Sequence, residues 1–182
     1  MTDPIRLKVL HLDSNALQTL SQLLQLRLDD LWVGGLQAYF GQDLFRASWI
    51  KVRIDEEQWI EIGIQRHQFQ DGFTVGCLQA QKVSDSLSAP EHTSWLSLPS
   101  ASIINAIDIY EQRELVEIVA PSQDIPAESL NYDSLLVLKM TDGSAIMLGM
   151  EQNFIDGELV ILQTLEPERQ VAESLRLRRT LQ

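Results

Sequence analysis

The single cysteine and the histidines are the first side chains to examine for chemistry. Cys77 lies on the apolar side of an alternating segment with Phe73 and Val75, as the inward face of a strand does. Burial disfavours the thiolate that a nucleophile needs. The only candidate bases for this thiol would be His67 and His92. We therefore interpret Cys77 as a core residue and predict no catalytic residue.

Metal and phosphate sites are not indicated. A metal centre needs several converging His, Cys or carboxylate ligands, whereas His11, His67 and His92 are far apart in the sequence. One cysteine also excludes a CxxC type of zinc site. The nine glycines form neither a GxGxxG nor a P-loop pattern, and there is no GxSxG. The sequence therefore predicts no metal and no cofactor.

Carboxylates are the abundant functional groups. If residues 103–111 form a strand, Asp108 and Tyr110 share a face, and with Asp133 from a neighbouring strand they could form an acid–base group in a cleft. No spacing signature favours that arrangement. We expect instead that Asp108 and Tyr110 belong to a solvated face opposite most of the isoleucines.

The net charge of −12 is concentrated in one stretch. Residues 84–160 hold 13 acidic and 2 basic side chains, and Arg113 is the only basic residue between Asp85 and Asp133. Such a surface repels nucleic-acid phosphates and anionic lipid head groups, so we expect neither as a partner. It attracts a basic protein. The residues that we expect to contact that protein are Asp108, Glu111, Glu114, Glu117, Asp124, Glu128 and Asp133.

Two tryptophans are candidates for apolar contact with a partner. Trp49 and Trp59 flank the first predicted hairpin and could face each other on the side opposite Ile50 and Ile60. Two tryptophans on a nominally polar face are either covered by the helices or exposed as a binding hot spot. Covering is the simpler expectation, because a leucine-rich helix needs a surface to pack against.

Composition is that of a globular protein. With 182 residues, 45% hydrophobic and 22% charged, the chain fits a single domain, residues 1–182. A subdomain boundary is possible in the Ser- and Pro-rich segment 84–101, which we interpret as a loop. The first twelve residues do not resemble a secretory signal, and no apolar run approaches the roughly 18 residues of a membrane span. We expect a cytoplasmic protein.

The first half of the chain predicts one strand, a helix and a meander. Ile5, Leu7 and Val9 alternate with basic residues, which indicates a strand with one buried face. Asp13, Ser14 or Asn15 can cap a following helix. Leucines recur at spacings of three and four on the helix stripe, with two more that widen it: Leu17, Leu20, Leu24, Leu28, Leu31, Leu23 and Leu26. Alternating residues then predict strands over 50–54, 60–64 and 73–83.

The second half predicts further hairpins. Residues 103–120 fit either a helix or two strands joined at Gln112 and Arg113, and clustered isoleucines favour strands with Ile103, Ile107 and Ile109 on one face. A hairpin is predicted over 135–150, with a strand at 159–162. Glu166-Pro167 begins a predicted C-terminal helix, with Arg176, Arg178 and Arg179 near its end.

These elements predict an α+β fold, mostly antiparallel β. The hairpins and meander would form a sandwich or a partly open barrel, with an N-terminal leucine-rich helix and a short C-terminal helix. Three functions fit. The first is a non-enzymatic acidic module of the immunity, antitoxin or inhibitor type, which binds a basic protein. The second is an assembly component that docks through the leucine-rich helix. The third is a ligand-binding or enzymatic β-domain with a dispersed site. The oligomeric state is not predicted.

Overall fold

In the computed structural model, residues 6–38, 44–68, 74–84, 93–116, 128–150 and 158–182 are described. The elements within these ranges are, in chain order, β1 (Arg6–Leu10), α1 (Ser14–Ser21), β2 (Arg27–Gly34), β3 (Gln37–Ala38), β4 (Leu44–Ala47), β5 (Trp49–Arg53), β6 (Gln58–Gln68), β7 (Thr74–Ser84), β8 (Thr93–Val116), β9 (Glu128–Met140), β10 (Ala145–Met150), β11 (Leu159–Thr164), α2 (Pro167–Gln170) and β12 (Arg176–Leu181). The chain is mostly antiparallel β with few helices, as predicted.

The strands form one open sheet. Its order is β3-β4-β11-β10-β9-β8-β2-β5-β6-β7. Two strands lie off this path: β12 pairs with β8, and β1 pairs in parallel with β9. The long strand β8 links the two halves, because its first part pairs with β2 and its later part with β9.

Side chains from both halves of the sheet meet in one apolar core. Ile50 and Ile60 of the β5–β6 hairpin are fully buried in the same cluster as Leu136 and Leu138 of β9. Each such side chain contributes about 1.5–3 kcal/mol when it is removed from water. Leu20 of α1 is also fully buried there, so the helix packs on the core side of the sheet.

The predicted meander is confirmed. In β5 and β6, Ile50 lies opposite Ile62 and Val52 opposite Ile60, so the apolar residues share one face. β7 continues this sheet beside β6. The turn between β5 and β6 is closed by Asp55, whose carboxylate accepts hydrogen bonds from two backbone N–H groups. The predicted hairpin over 135–150 and the strand from Leu159 are also present.

The leucine-rich helix is much shorter than predicted. Asp13 caps it by accepting a hydrogen bond from the Ala16 N–H at 2.8 Å, but α1 ends at Ser21. Gln25, with φ of 66°, turns the chain into β2. Leu28 and Leu31 are therefore strand residues, and both are buried. The pairing of β2 with β8 shifts register between Leu28 and Asp30, and this irregularity gives a strand the three-residue spacing that is typical of a helix.

The prediction for β1 was only partly right. The strand is present, but Leu7 and Val9 are exposed rather than buried. The parallel pairing with β9 sets its position, and alternation alone does not show which face is covered. Ile5 lies outside the described residues.

The loop prediction for 84–101 was wrong from residue 93 onward, where the chain belongs to β8. The predicted turn at Gln112 was also wrong, because β8 continues to Val116. Isoleucines 104, 107 and 109 are fully buried, whereas Ile103 is partly exposed. The register with β9 shifts between Ile104 and Ala106, so one extra residue brings Ile104 to the inner face in place of Ile103.

The C-terminal helix is limited to one turn. It begins at Pro167, as predicted, but ends at Gln170. The three arginines predicted for its end all lie in β12, which pairs with the acidic part of β8. The register shifts between Leu177 and Arg179, so Arg178 is the extra residue of a bulge.

Candidate interaction surface

The sheet face opposite the core carries all four tryptophans of the protein. They come from β2, β5, β6 and β8, and they are Trp32, Trp49, Trp59 and Trp95. The strand register explains this, because Trp32 lies opposite both Trp95 and Lys51, and Arg53 lies opposite Trp59. We call this surface, formed by the four tryptophans with Lys51 and Arg53, the tryptophan face.

Three of the rings form a continuous row. Trp32 stacks on Trp59 with centroids 4.8 Å apart, and it meets Trp95 edge to face at 4.6 Å. Such pairs contribute about 0.5–1.5 kcal/mol each beyond the area that they bury. Trp59 is 6% exposed, whereas Trp95, at the end of the row, is 56% exposed. The row is therefore rigid at its buried end and open at Trp95.

Two indole N–H groups on this face lack an acceptor among the described residues. They are those of Trp32 and Trp59, and both nitrogens are buried. An unsatisfied buried donor costs about 1–3 kcal/mol. Such groups are rare in folded proteins and need an explanation.

The cations of the tryptophan face already contact rings. Lys51 Nζ lies 4.5 Å from the Trp49 ring centre, and the Arg53 guanidinium lies 5.9 Å from that of Trp59. Lys51 also lies 3.4 Å from a carboxylate oxygen of Glu61. The charges of this face therefore stabilise it from within, by cation–π attraction and ion pairing.

Trp49 is placed by the absence of a side chain on the neighbouring strand. Gly34 lies opposite Trp49, and a Cβ atom at Gly34 would be 2.2 Å from the indole. Only glycine leaves room for the ring at this distance. The position of Trp49 thus depends on a residue of β2.

Asp30 is an exposed carboxylate on the same side of β2 as Trp32. The pairing of β2 with β5 ends at Trp32 and Lys51, and a cavity of about 350 Å³ lies where the two strands separate. Its charged lining residues are Asp29, Asp30, Asp55, Glu56, Arg27 and Arg53. The pKa of Asp30 is raised by burial and then by the negative charge of Asp29. Within the described part of the chain, no hydrogen bond or ion pair holds this carboxylate.

Two of the predicted partner-binding carboxylates are instead internal. Asp133 is fully buried and accepts two hydrogen bonds from Arg178, at 2.6 and 2.7 Å, and one from the Leu12 N–H at 2.7 Å. Asp108 is also buried, and it accepts hydrogen bonds from Thr180 and Lys139 at 2.7 Å each. Asp108 therefore does not lie on a solvated face. Both carboxylates are therefore held by other groups of the protein itself.

The remaining predicted carboxylates have mixed positions. Glu111 is partly buried, with a carboxylate oxygen 2.9 Å from His11 Nε2. Glu114 accepts hydrogen bonds from Tyr132 and Gln112. The backbone of Glu128 begins β9, but its side chain is not described, and Glu117 and Asp124 lie outside the described residues. Glu111 and Glu114 thus already contact other side chains of the protein.

Trp49 and Trp59 do lie on the side opposite Ile50 and Ile60, but they are not opposite each other. Trp49 faces Gly63 across the hairpin, and Trp59 faces Arg53. α1 packs on the other side of this sheet, so it does not cover them. Trp32, Trp95 and Asp30 are members of this surface that the sequence does not predict. Asp30 and Trp32 are two residues apart, which places them on the same face of a strand. This relationship was not considered, because the segment was predicted to be a helix.

The side chains considered for catalysis are buried or hold a partner within the protein. Burial and the charge of Asp133 raise the pKa of the Cys77 thiol from 9.0 to about 12. A cleft of about 500 Å³ lies beside Asp108, but the carboxylate of Asp108 is ion-paired with Lys139. Burial and the nearby Asp108 charge raise the pKa of Tyr110. The raised pKa values keep the Cys77 thiol and the Tyr110 hydroxyl protonated near neutral pH.

No helix within the described ranges has the length and apolar character needed to cross a membrane. A scan against protein-family models finds no match for this chain, and searches of curated proteins and of solved structures find none either.

Proposed function

We propose that the protein is a non-enzymatic module that binds a basic protein partner through the tryptophan face. The observation that carries this proposal is the row Trp59–Trp32–Trp95, which is buried at one end and open at the other. Tryptophan is enriched among the residues that dominate binding energy at protein interfaces. A rigid, preformed aromatic row also loses little conformational freedom when a partner binds.

Charge supports a basic partner. The chain carries a net charge of −12, which speeds the approach of a positively charged protein at low salt. Lys51 and Arg53 are occupied by the rings and by neighbouring acceptors, whereas Asp30 has no cation within the described part. The open end of the face is therefore the part that attracts a positive group.

Two alternative functions have less support. Docking through the leucine-rich helix relied on Leu23 and Leu26, yet Leu23 is fully buried and Leu26 packs against the same core. An enzymatic site relied on Asp108, Tyr110 and Asp133, and two of these are committed to internal ion pairs. Binding therefore remains the function that we propose. Inhibition of a basic enzyme in the cytoplasm, as immunity proteins and antitoxins do, is the specific form that the sequence suggested.

Affinity capture with matched variants tests this function. The full chain, Trp95→Ala and Glu57→Gln are immobilised and exposed to extract of the native host, and retained proteins are identified by mass spectrometry. We expect a basic protein that wild type and Glu57→Gln retain and Trp95→Ala loses. Binding of that protein, once purified, should weaken with added salt. Equal retention by Trp95→Ala, or a partner of acidic character, would contradict the proposal.

A further inference from the structure

Resting on the proposed function, we propose that Trp95 and Asp30 form a slot for one arginine side chain of the partner. The indole of Trp95 supplies the stacking surface, and the carboxylate of Asp30 supplies the charge. The slot is the position on the tryptophan face where the protein's own pattern of rings and cations is incomplete.

That pattern is visible at the other end of the face. Lys51 lies over Trp49 and Arg53 lies over Trp59. Trp95 is the most exposed of the tryptophans, and its described ring contact is with Trp32. A cation on Trp95 would extend to the open end the same interaction that the molecule uses internally.

The strand register places Asp30 close enough to act with Trp95. Asp30 lies opposite Ser97, two residues from Trp95 on the same side of β8. Diagonal neighbours of this kind in antiparallel strands are roughly 7–8 Å apart, within reach of aromatic and long side chains. An extended side chain lying on Trp95 can therefore bring its charged end to Asp30.

The surroundings of Asp30 favour a cation over an anion. The adjoining cavity is lined by four carboxylates and two guanidinium groups. One of the guanidinium groups, that of Arg27, is paired with Asp29 at 3.0 Å. The other, that of Arg53, donates to the Asp55 carbonyl at 2.9 Å. The excess of negative charge is therefore left at Asp30 and its acidic neighbours.

Arginine fits this slot better than lysine. A guanidinium is planar, stacks on an indole and binds a carboxylate through two parallel hydrogen bonds. The molecule contains a two-hydrogen-bond pair of this kind, without an indole, at Arg178 and Asp133. An ammonium group would keep the charge attraction and lose both the stacking plane and the second hydrogen bond.

Peptide titration of the ¹⁵N-labelled full chain tests the slot. The probes are three capped peptides of sequence Gly-Ser-Gly-X-Gly-Ser-Gly, where X is arginine, lysine or citrulline, and the readout is the four indole N–H resonances. We expect the arginine peptide to shift the Trp95 and Trp32 signals at millimolar concentrations. The lysine peptide should bind about threefold more weakly, and citrulline, which is planar but neutral, should give no saturable shift.

Two matched variants distinguish binding in the slot from attraction by the overall negative charge of the protein. Asp30→Asn should weaken binding of the arginine peptide about threefold to fivefold, which is the range expected for loss of a partly exposed ion pair. Glu57→Gln removes the same charge from the nearby turn and should leave affinity nearly unchanged. Equal effects of both variants, or equal binding of arginine and citrulline peptides, would overturn the slot. The captured partner distinguishes the two proposals. If Trp95→Ala no longer binds it but Asp30→Asn binds it with full affinity, the slot is refuted and the proposed function stands.

Discussion

Arg178 and Asp133 form a bidentate pair that joins the C-terminal strand to the centre of the sheet. The two hydrogen bonds are 2.6 and 2.7 Å long, and the carboxylate is fully buried. The same carboxylate accepts the Leu12 N–H at 2.7 Å, just before the capped start of α1. One buried charge therefore connects β12, β9 and the segment that leads into α1.

Removing the cation of this pair should strongly destabilise the fold. Arg178→Ala leaves Asp133 buried without its partner, and such losses cost about 3–5 kcal/mol. Arg179→Ala, an exposed neighbour in the same strand, should change stability by less than about 0.5 kcal/mol. The free energy of unfolding in urea measures both. Similar values for the two variants would show that the pair contributes little.

Gly34 and Gly63 offer a test of how Trp49 is placed. A Cβ at Gly34 would overlap the indole of Trp49, whereas at Gly63 the nearest atom is 3.6 Å away, an ordinary contact. Gly34→Ala should therefore cost about 1–3 kcal/mol, as overpacking does, and should change the near-ultraviolet circular dichroism of the tryptophans. Gly63→Ala should leave that spectrum unchanged. A larger loss of stability for Gly63→Ala than for Gly34→Ala would contradict the described packing.

The thiol of Cys77 should be slow to react in the folded protein. Its pKa is raised from 9.0 to about 12, so the thiolate fraction at pH 8 is roughly a thousandth of that in an unfolded chain. Reaction with an aromatic disulfide reagent should be at least about 100-fold slower without urea than with it. Fast modification of the native protein would indicate an accessible, activated thiol and reopen an enzymatic function.

Arginine-peptide binding should weaken as pH falls. The pKa of Asp30 is raised by burial and by Asp29, so Asp30 takes up a proton at a higher pH than an ordinary aspartate. Affinity should be full at pH 7 and decline as pH falls through this raised pKa, because protonation removes the charge that attracts the guanidinium. Asp30→Asn should bind weakly and without that decline. Indole N–H titrations at several pH values measure this, and a decline retained in Asp30→Asn would assign it to Asp29, Asp55 or Glu56 instead.

Regular alternation made the central hairpins predictable. Residues 50–54 and 60–64 alternate without interruption, and their pairing in β5 and β6 has no register shift. The errors occurred where the register does shift. Leu28 and Leu31 mimic a helix because of the irregularity between β2 and β8, and Ile104 replaces Ile103 on the inner face because of an extra residue in β8. A single sequence does not reveal where such bulges lie.

The candidate surface depended on long-range pairing that local patterns do not contain. Trp32 and Trp95 are brought together by the pairing of β2 with β8, and both segments were predicted as other structures. The acidic stretch was recognised from composition, but composition does not show that Asp133 is bound by Arg178, 45 residues away. Which charges are internal and which are free is decided by topology.

Binding through the tryptophan face is tested most directly by mapping the backbone and indole resonances of the labelled protein when its captured partner is added. If the tryptophan face is the binding surface, the largest changes will lie in β2, β5 and the first part of β8, around Trp32, Lys51 and Trp95. Changes centred on Glu111 and Glu114, with the tryptophan signals unaffected, would contradict it and would assign binding to the acidic half of the sheet.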